Sequence, residues 1–257
     1  MTAPFGPIRN AEGEVLDYAC AGDLGLNDGP DDGGPGGGPL VVIGHGVTAN
    51  KDRAWALTLA SALEAAGVAS LRFSFAGNGA SEGDFRASTV TKEVTDLGAV
   101  LDAVVVVSAR PLVYVGHSMG GAVGVLRAAE DVRIRALVSL AGMVDVAGFA
   151  QRKFGDLTPD RDLMWDKPEC PLSQAFMDDC AQVGSVLHRA AEIWVPWLLV
   201  HGTADTVVPL GESKAIAHAA GPEAKLVELP GADHLFSGDD EARMAAAVVE
   251  WLRGLNL

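Results

Sequence analysis

Five consecutive residues, Gly116-His117-Ser118-Met119-Gly120, match the pattern G-x-S-x-G. They follow a short apolar run, Leu112 to Val115, of buried-strand character, and they lead into a stretch of small residues with helical spacing. A nucleophile on a tight strand-to-helix turn needs neighbours without side chains, because the helix must pass close to the strand. Such a turn presents the Ser118 hydroxyl outward, and the helix N-terminus sets amide N–H groups beside it. A serine hydroxyl is a poor nucleophile at neutral pH. It needs a base, the base needs an orienting acid, and the oxyanion it generates needs donors.

Six histidines compete for the role of base. His117 lies inside the turn and alternation points it away. His45, in Gly44-His45-Gly46, and His201, at the end of an apolar run, read as structural groups that hydrogen-bond nearby backbone. His188 and His218 fall in an insertion and on a late helix. His234 sits in the turn Pro230-Gly231-Ala232-Asp233-His234-Leu235-Phe236, just after the last strand-like run, and it is the expected base. Asp205, in the segment from His201 to Pro209, is the expected acid, with Asp145 as its rival. Asp233 abuts His234 too closely to orient its ring. The order Ser118, Asp205, His234 is the order that suits a nucleophile elbow in an α/β sheet. For the oxyanion the expected donors are two backbone N–H groups, those of Met119 and of Val47 in the loop after Leu40–Ile43.

These residues need strands that end together. Apolar runs at 40–43, 68–73, 112–115, 134–140, 197–201 and 225–229 alternate with helical patterns near 56–66, 90–104, 119–130, 213–220 and 241–252. Alternating strands and helices imply an α/β architecture, a doubly wound, mostly parallel sheet covered on both faces, with functional groups at the C-terminal strand ends. The chain reads as one domain, 1–257. Residues 5–25 suggest an antiparallel edge hairpin, and Asp28 to Pro39 a Gly/Pro-rich surface loop. Ser88 or Thr89 is the expected N-cap of the second helix. Residues 144–192 break the alternation and read as an insertion crossing one end of the sheet. Within it, Leu163, Met164 and Trp165 stand together in polar surroundings, and contiguous apolar groups of that size need a surface to cover. Trp165, Met164 and, at the end of the last turn, Phe236 are the expected substrate-contacting residues.

Composition narrows the function classes. Nineteen Lys and Arg against 34 Asp and Glu give a net charge of −15, which disfavours nucleic acid or an anionic membrane as partner. No basic-then-apolar leader and no run of membrane-spanning length stand out, and three cysteines, an odd number, fit free thiols in a reducing cytoplasm.

The segments Gly44 to Lys51, Leu71 to Gly83, the Ser118 turn, the Asp205 segment and Gly231 to His234 together resemble α/β-hydrolase-fold serine hydrolases, in particular bacterial cinnamoyl/feruloyl esterases and related carboxylesterases. The resemblance runs from about Leu40 to the C-terminus. It implies a carboxylic ester hydrolase acting on a small-molecule ester through an acyl-enzyme, without metal or organic cofactor, and with the insertion as a small lid over the acyl pocket. Amide, thioester or C–C hydrolysis by the same triad, and a non-catalytic ligand-binding relative, are the alternatives. Where such esterases carry an Asp, a basic residue and a His in the loop after Phe73, this chain has Ser74, Ala76 and Asn78.

Overall fold

The structure, a computed structural model, describes residues 4–24 and 38–257. Most of the Gly/Pro-rich stretch, through residue 37, lies outside the described residues. The main sheet has seven strands: β3 (Tyr18–Ala21), β4 (Leu40–Gly44), β5 (Ala69–Phe73), β6 (Leu112–His117), β7 (Ile134–Leu140), β8 (Trp197–Gly202) and β9 (Ala224–Leu229). Their spatial order is β3-β5-β4-β6-β7-β8-β9, and only β3 runs antiparallel. The expected edge hairpin takes a different form. β1 (Ile8–Arg9) and β2 (Val15–Leu16) pair in a small sheet of their own, and β3 leaves them to pair with β5.

Burial on both faces explains the unbroken apolar runs of the central strands. Successive side chains of β4 go to opposite sides. Val41 and Ile43 join Val113 and Val115 of β6 beneath helices α1 (Ala54–Ala65) and α7 (Asp240–Arg253). Leu40 and Val42 join Leu112 and Tyr114 on the other face, beneath α2 (Val90–Val107), α3 (Met119–Ala128) and α6 (Leu210–Ala220). Each such Val or Leu contributes roughly 1.5–3 kcal/mol when fully buried, so the strand ends that carry the expected site rest on the best-packed part of the molecule. Thr89 caps α2, accepting from the Lys92 N–H at 3.2 Å, while Ser88 turns inward to Asn78 and Glu93.

The chain runs from β4 outward to β5, then returns across to β6 on the other side of β4. The order therefore reverses between β4 and β6, and the crevice at such a switch point is where open α/β sheets hold ligands. Gly44 and Gly116 face each other across this pair, so the loops that follow both strands start side by side.

The insertion between β7 and β8 is more regular than its sequence suggested. It holds α4 (Val146–Phe154) and α5 (Gln174–Val183). Each starts at a side-chain cap: Asp145 accepts from Gly148 N–H at 2.9 Å, and Ser173 from Phe176 N–H at 3.1 Å. Phe149, Phe154 and Phe176 bury under them as a continuation of the main core. No helix among the described residues is long and apolar enough to cross a membrane.

Candidate active site

Ser118 occupies the turn between β6 and α3 with φ 54° and ψ −117°. A non-glycine residue held there costs on the order of 1–3 kcal/mol and persists only when its surroundings dictate it. Here they do. Ser118 N–H donates to Leu140 C=O at 2.9 Å, and the Ser118 carbonyl accepts from Gly121 and Met143 N–H, both at 2.9 Å. The flanking glycines are required by close approach. A Cβ on Gly116 would stand 2.1 Å from the Gly120 carbonyl oxygen, one on Gly120 2.5 Å from that of His45, and one on Gly46 2.8 Å from Ser118 Cβ. The last contact lays the loop after β4 directly against Ser118.

Two peptide planes beside Ser118 are held in the same way. His45 accepts the Phe75 N–H at Nε2 (3.0 Å) and donates from Nδ1 to the Gly46 carbonyl (2.8 Å), and Ala49 N–H adds a second bond to that carbonyl at 3.2 Å. Burial keeps this ring neutral, with its pKa down at about 4. In a trans peptide the N–H points opposite to the C=O, so pinning the Gly46 carbonyl fixes the direction of the Val47 N–H. The pinned Ser118 carbonyl does the same for the Met119 N–H. Neither of these N–H groups has a hydrogen-bond partner among the described residues. The glycine-rich turns thus leave two oriented, unused donors next to one hydroxyl.

Asp205 follows β8 and His234 follows β9. The two turns interlock: Ala204 N–H donates to the Ala232 carbonyl at 3.0 Å, and a Cβ on Gly202 would come within 2.2 Å of the same oxygen. This packing brings His234 Nδ1 to 2.8 Å from Asp205 Oδ2. The other carboxylate oxygen, Oδ1, accepts from Val207 N–H at 2.7 Å and Val208 N–H at 2.9 Å. Burial alone would raise the Asp205 pKa, but the hydrogen bonds from His201 and His234 outweigh it and hold the carboxyl well below the usual range. Asp145 serves elsewhere, as the α4 cap and in an ion pair with Arg152 at 3.1 Å. Asp233 accepts from Leu235 and Ser237 N–H, both at 3.0 Å, within its own turn.

Two histidines do more than the sequence suggested. His201 is fully buried. Its Nε2 lies 3.1 Å from Asp205 Oδ2 and 3.0 Å from the Val208 carbonyl, and its Nδ1 lies 2.7 Å from Ser213 Oγ. Two acceptors at Nε2 require the proton there, which leaves Nδ1 to accept the serine hydroxyl. His117 donates from Nε2 to the His234 carbonyl at 2.9 Å, between the Trp55 and His234 rings. Burial, reinforced by the nearby His234, lowers its pKa to about 3 and keeps it neutral. One ring therefore braces the Asp205 carboxylate and the other braces the backbone of His234. The His117 contact joins residues 117 apart and shows only in the fold, whereas His201 reaches Asp205 only four residues on.

Ser118 and His234 line one cavity of about 190 Å³, together with Val47, Phe149, Trp165 and Leu235. A larger open groove of about 690 Å³ between α1 and α7 is walled mostly by Ala, Leu and Val and holds no nucleophile with a base. Of the three expected substrate contacts, only Trp165 reaches the cavity. It sits in the left-handed region at φ 48° with its ring edge-on to Phe154, and is 43% exposed. Met164 instead turns into the core, because the Met164 N–H is tied to the Cys170 carbonyl at 2.8 Å and the reversal at Trp165 sends the two side chains apart. Phe236 is buried under α7 against His117, and Leu235 takes the rim. Nor do Ser74, Ala76 and Asn78 line the cavity; they close the loop after β5, where Ala76 N–H bonds Asp96 at 2.8 Å and Asn78 bonds Ser88 at 3.1 Å. All three cysteines are free thiols.

Residues 40–247 match the alpha/beta hydrolase family. The chain is 26% identical over 195 residues to the mitochondrial palmitoyl-protein thioesterase ABHD10 of Pongo abelii, covering 71% of this chain and 62% of that protein, so it spans under two thirds of the relative's length. Among solved structures, Est1E from Butyrivibrio proteoclasticus with bound ferulic acid superposes with a TM-score of 0.82 at 25% identity, over 96% of this chain and 98% of that one. Mouse alpha/beta hydrolase domain-containing protein 10 shares the fold with a TM-score of 0.75 at 21% identity, over 97% and 98%. A mostly parallel sheet, a strained serine at the turn after β6, beside the β4–β6 crevice, and a family match over residues 40–247 lead to one conclusion: the chain belongs to the alpha/beta hydrolase family.

Proposed function

We propose that the protein is a carboxylic ester hydrolase that works through an acyl-enzyme on Ser118. His234 takes the Ser118 proton as the hydroxyl attacks the ester carbonyl, then delivers it to the leaving alkoxide. Asp205 orients the imidazole through Nδ1 and stabilises the imidazolium. The N–H groups of Val47 and Met119 receive the developing oxyanion, a contribution worth about 2.7–4 kcal/mol per donor in comparable sites. A water activated by the same histidine then releases the acid. The observation that carries this reading is the 2.8 Å Asp205–His234 pair, whose His234 lines the same cavity as Ser118, with two oriented N–H groups beside the serine that have no partner among the described residues.

The cavity's size supports a short or compact acyl group. At about 190 Å³ it is smaller than the ~300–1,000 Å³ of sites for drug-sized ligands. A thioester is a second reading, favoured by the relative named as a palmitoyl-protein thioesterase. The same machinery serves both leaving groups, but a palmitoyl chain would need far more room than this cavity holds. Turnover of 4-nitrophenyl acetate, butyrate, octanoate and palmitate, a hydroxycinnamate ester, and matched acyl thioesters tests the proposal. The expected order is acetate and butyrate above octanoate, with palmitate near background. Turnover of none of these esters or thioesters by folded protein would overturn it.

A further inference from the structure

The cavity carries a charge opposite to that of the protein. The chain has a net charge of −15, yet no Asp or Glu lines the cavity, and two cations do: Arg53, ahead of α1, and Lys167, in the insertion. Both are partly buried, and neither forms an ion pair among the described residues. The acids near them in sequence do not neutralise them. Asp52 is held by Lys51 at 2.6 Å and Arg72 at 3.3 Å, while Asp166 and Glu169 make no ion pair among the described residues. What the two cations do touch is Thr48, one residue beyond Val47. Arg53 reaches its carbonyl at 3.5 Å, and Lys167 reaches the carbonyl at 3.5 Å and the hydroxyl at 3.3 Å. These contacts sit at the long limit of hydrogen bonding.

We propose that Arg53 and Lys167 form an anion-recognition subsite, and that the substrate is an ester or thioester carrying a carboxylate, sulfate or phosphate close to its scissile carbonyl. This rests on the hydrolase reading of Ser118. Withdrawing two cations partly from water without an anionic partner is costly, and a ligand anion is the counter-charge the cavity lacks. Arg53 offers a planar fork suited to a carboxylate or phosphate, and Lys167 a point charge. One comes from the sheet side and the other from the insertion. An anion between them would tie the insertion to the loop that carries the Val47 N–H, so that binding also steadies that donor.

The anion has two possible sources, the leaving group or the acyl group, and two substrate pairs separate them. 4-Acetoxybenzoate against 4-acetoxybenzamide places the charge on the leaving side, and 4-nitrophenyl hydrogen adipate against its methyl ester places it on the acyl side. The ratio of kcat/KM, charged over neutral, is read within each protein, so any general loss of activity or folding cancels. In wild type one pair should favour the anion by about 10- to 100-fold, the worth of a charge-assisted contact in a partly desolvated site. The ratio should fall toward unity in Lys167→Gln and Arg53→Gln, recover in part in Arg53→Lys, and shrink with added salt. Ratios within twofold of unity for both pairs in wild type, or ratios unmoved by the substitutions, would overturn the subsite while leaving the hydrolase reading intact. If no ester is turned over, calorimetric binding of 4-hydroxybenzoate against 4-hydroxybenzamide decides. Preference for the anion that is lost in the Arg53→Gln/Lys167→Gln double variant upholds the subsite even as the hydrolase reading falls, and equal or absent binding overturns it.

Discussion

The turns that follow the strands and the insertion that crosses above them are built on different principles. Ser118 and Asp205 follow buried parallel strands and His234 follows the edge strand β9, and apart from the unused Val47 and Met119 N–H groups the backbone around Ser118 is tied to neighbouring strands and turns. The insertion is held by two side-chain caps and a patch of phenylalanines, and it projects Trp165 and Lys167 from a short reversal into the cavity. The first region fixes its backbone closely through hydrogen bonds and glycine contacts. The second supplies surface and charge that can differ without disturbing the first. Chemistry and selectivity should therefore separate under substitution.

The sharpest way to break that separation is to remove the groups proposed to react. Ser118→Ala and His234→Ala should each lower kcat by on the order of 10⁶, with the double variant little worse, because they serve one step. Asp205→Asn should cost about 10⁴ through the wrong imidazole tautomer. Additive losses in single-turnover kinetics, or a larger effect from Asp145→Asn, would mean that the strand-end turns do not hold one catalytic unit.

A step down in size comes from His201, which acts through Asp205. His201→Phe should lower kcat by about 10²-fold with little change in KM, as a misplaced acid lets the base drift. It should also lower the melting temperature, since Ser213 and the Val208 carbonyl are left as buried orphans at about 1–3 kcal/mol each. A lower melting temperature with unchanged kcat would reduce His201 to a structural residue.

In the insertion, Trp165→Ala should leave acetate turnover nearly intact while weakening selectivity among acyl groups by ~1–3 kcal/mol for the lost apolar contact. A uniform loss of kcat/KM across acetate, butyrate, octanoate and a hydroxycinnamate ester would show that Trp165 supports the insertion instead of reading the substrate.

The smallest effect concerns stability and pH, and it contrasts Asp205 with a second buried acid. Glu93 in α2 has one carboxylate oxygen without any hydrogen-bond partner, and burial, with Asp96 nearby, raises its pKa well above the ordinary 4.5. The unfolded chain gives up that proton near pH 4.5 and the folded chain holds it, so this group costs stability as pH rises above 4.5. His45 and His117 work in the opposite direction. Their folded pKa values lie below the ordinary 6.5, so the unfolded chain takes up protons first and stability falls as pH drops from about 6.5 toward 4 and 3. Asp205, depressed in the fold, adds to the acid limb below its ordinary 3.8. Glu93→Gln should raise the melting temperature more at pH 8 than at pH 4.5, with the acid limb unchanged. A gain independent of pH would mean that the carboxyl is ionised in the fold.

How far the sequence announces all this follows the same division. The strands, most of the helices and the Ser118, Asp205 and His234 turns were legible because each is a local event: an apolar run of fixed length, a glycine where a Cβ would collide, a polar residue just past a strand end. What was not legible depends largely on neighbours far along the chain. His201 braces Asp205 by a contact within the turn after β8, and His117 braces His234 by one that exists only in the folded sheet, across 117 residues. The helices α4 and α5 do carry an apolar period, Val146, Phe149, Ala150 and Phe154 in the first and Phe176 and Cys180 in the second, but it is short and set among Trp, Pro and Asp, so the segment reads as irregular. Met164 and Trp165 are adjacent and similar in character, yet the left-handed backbone at Trp165 itself sends one into the core and the other to the cavity. The same reversal brings Lys167 opposite Arg53, a pairing of like charges that no spacing rule would single out.

The central claim is that Ser118 is an activated nucleophile in a prepared oxyanion site. Treating the protein with a fluorophosphonate and measuring its intact mass and modified peptide tests this most directly, without any assumption about the substrate. The account predicts a single adduct, on Ser118, formed rapidly in wild type, orders of magnitude more slowly in His234→Ala, and not at all in Ser118→Ala. A folded wild-type protein that stays unlabelled, or an adduct that forms equally well in Ser118→Ala, would contradict it.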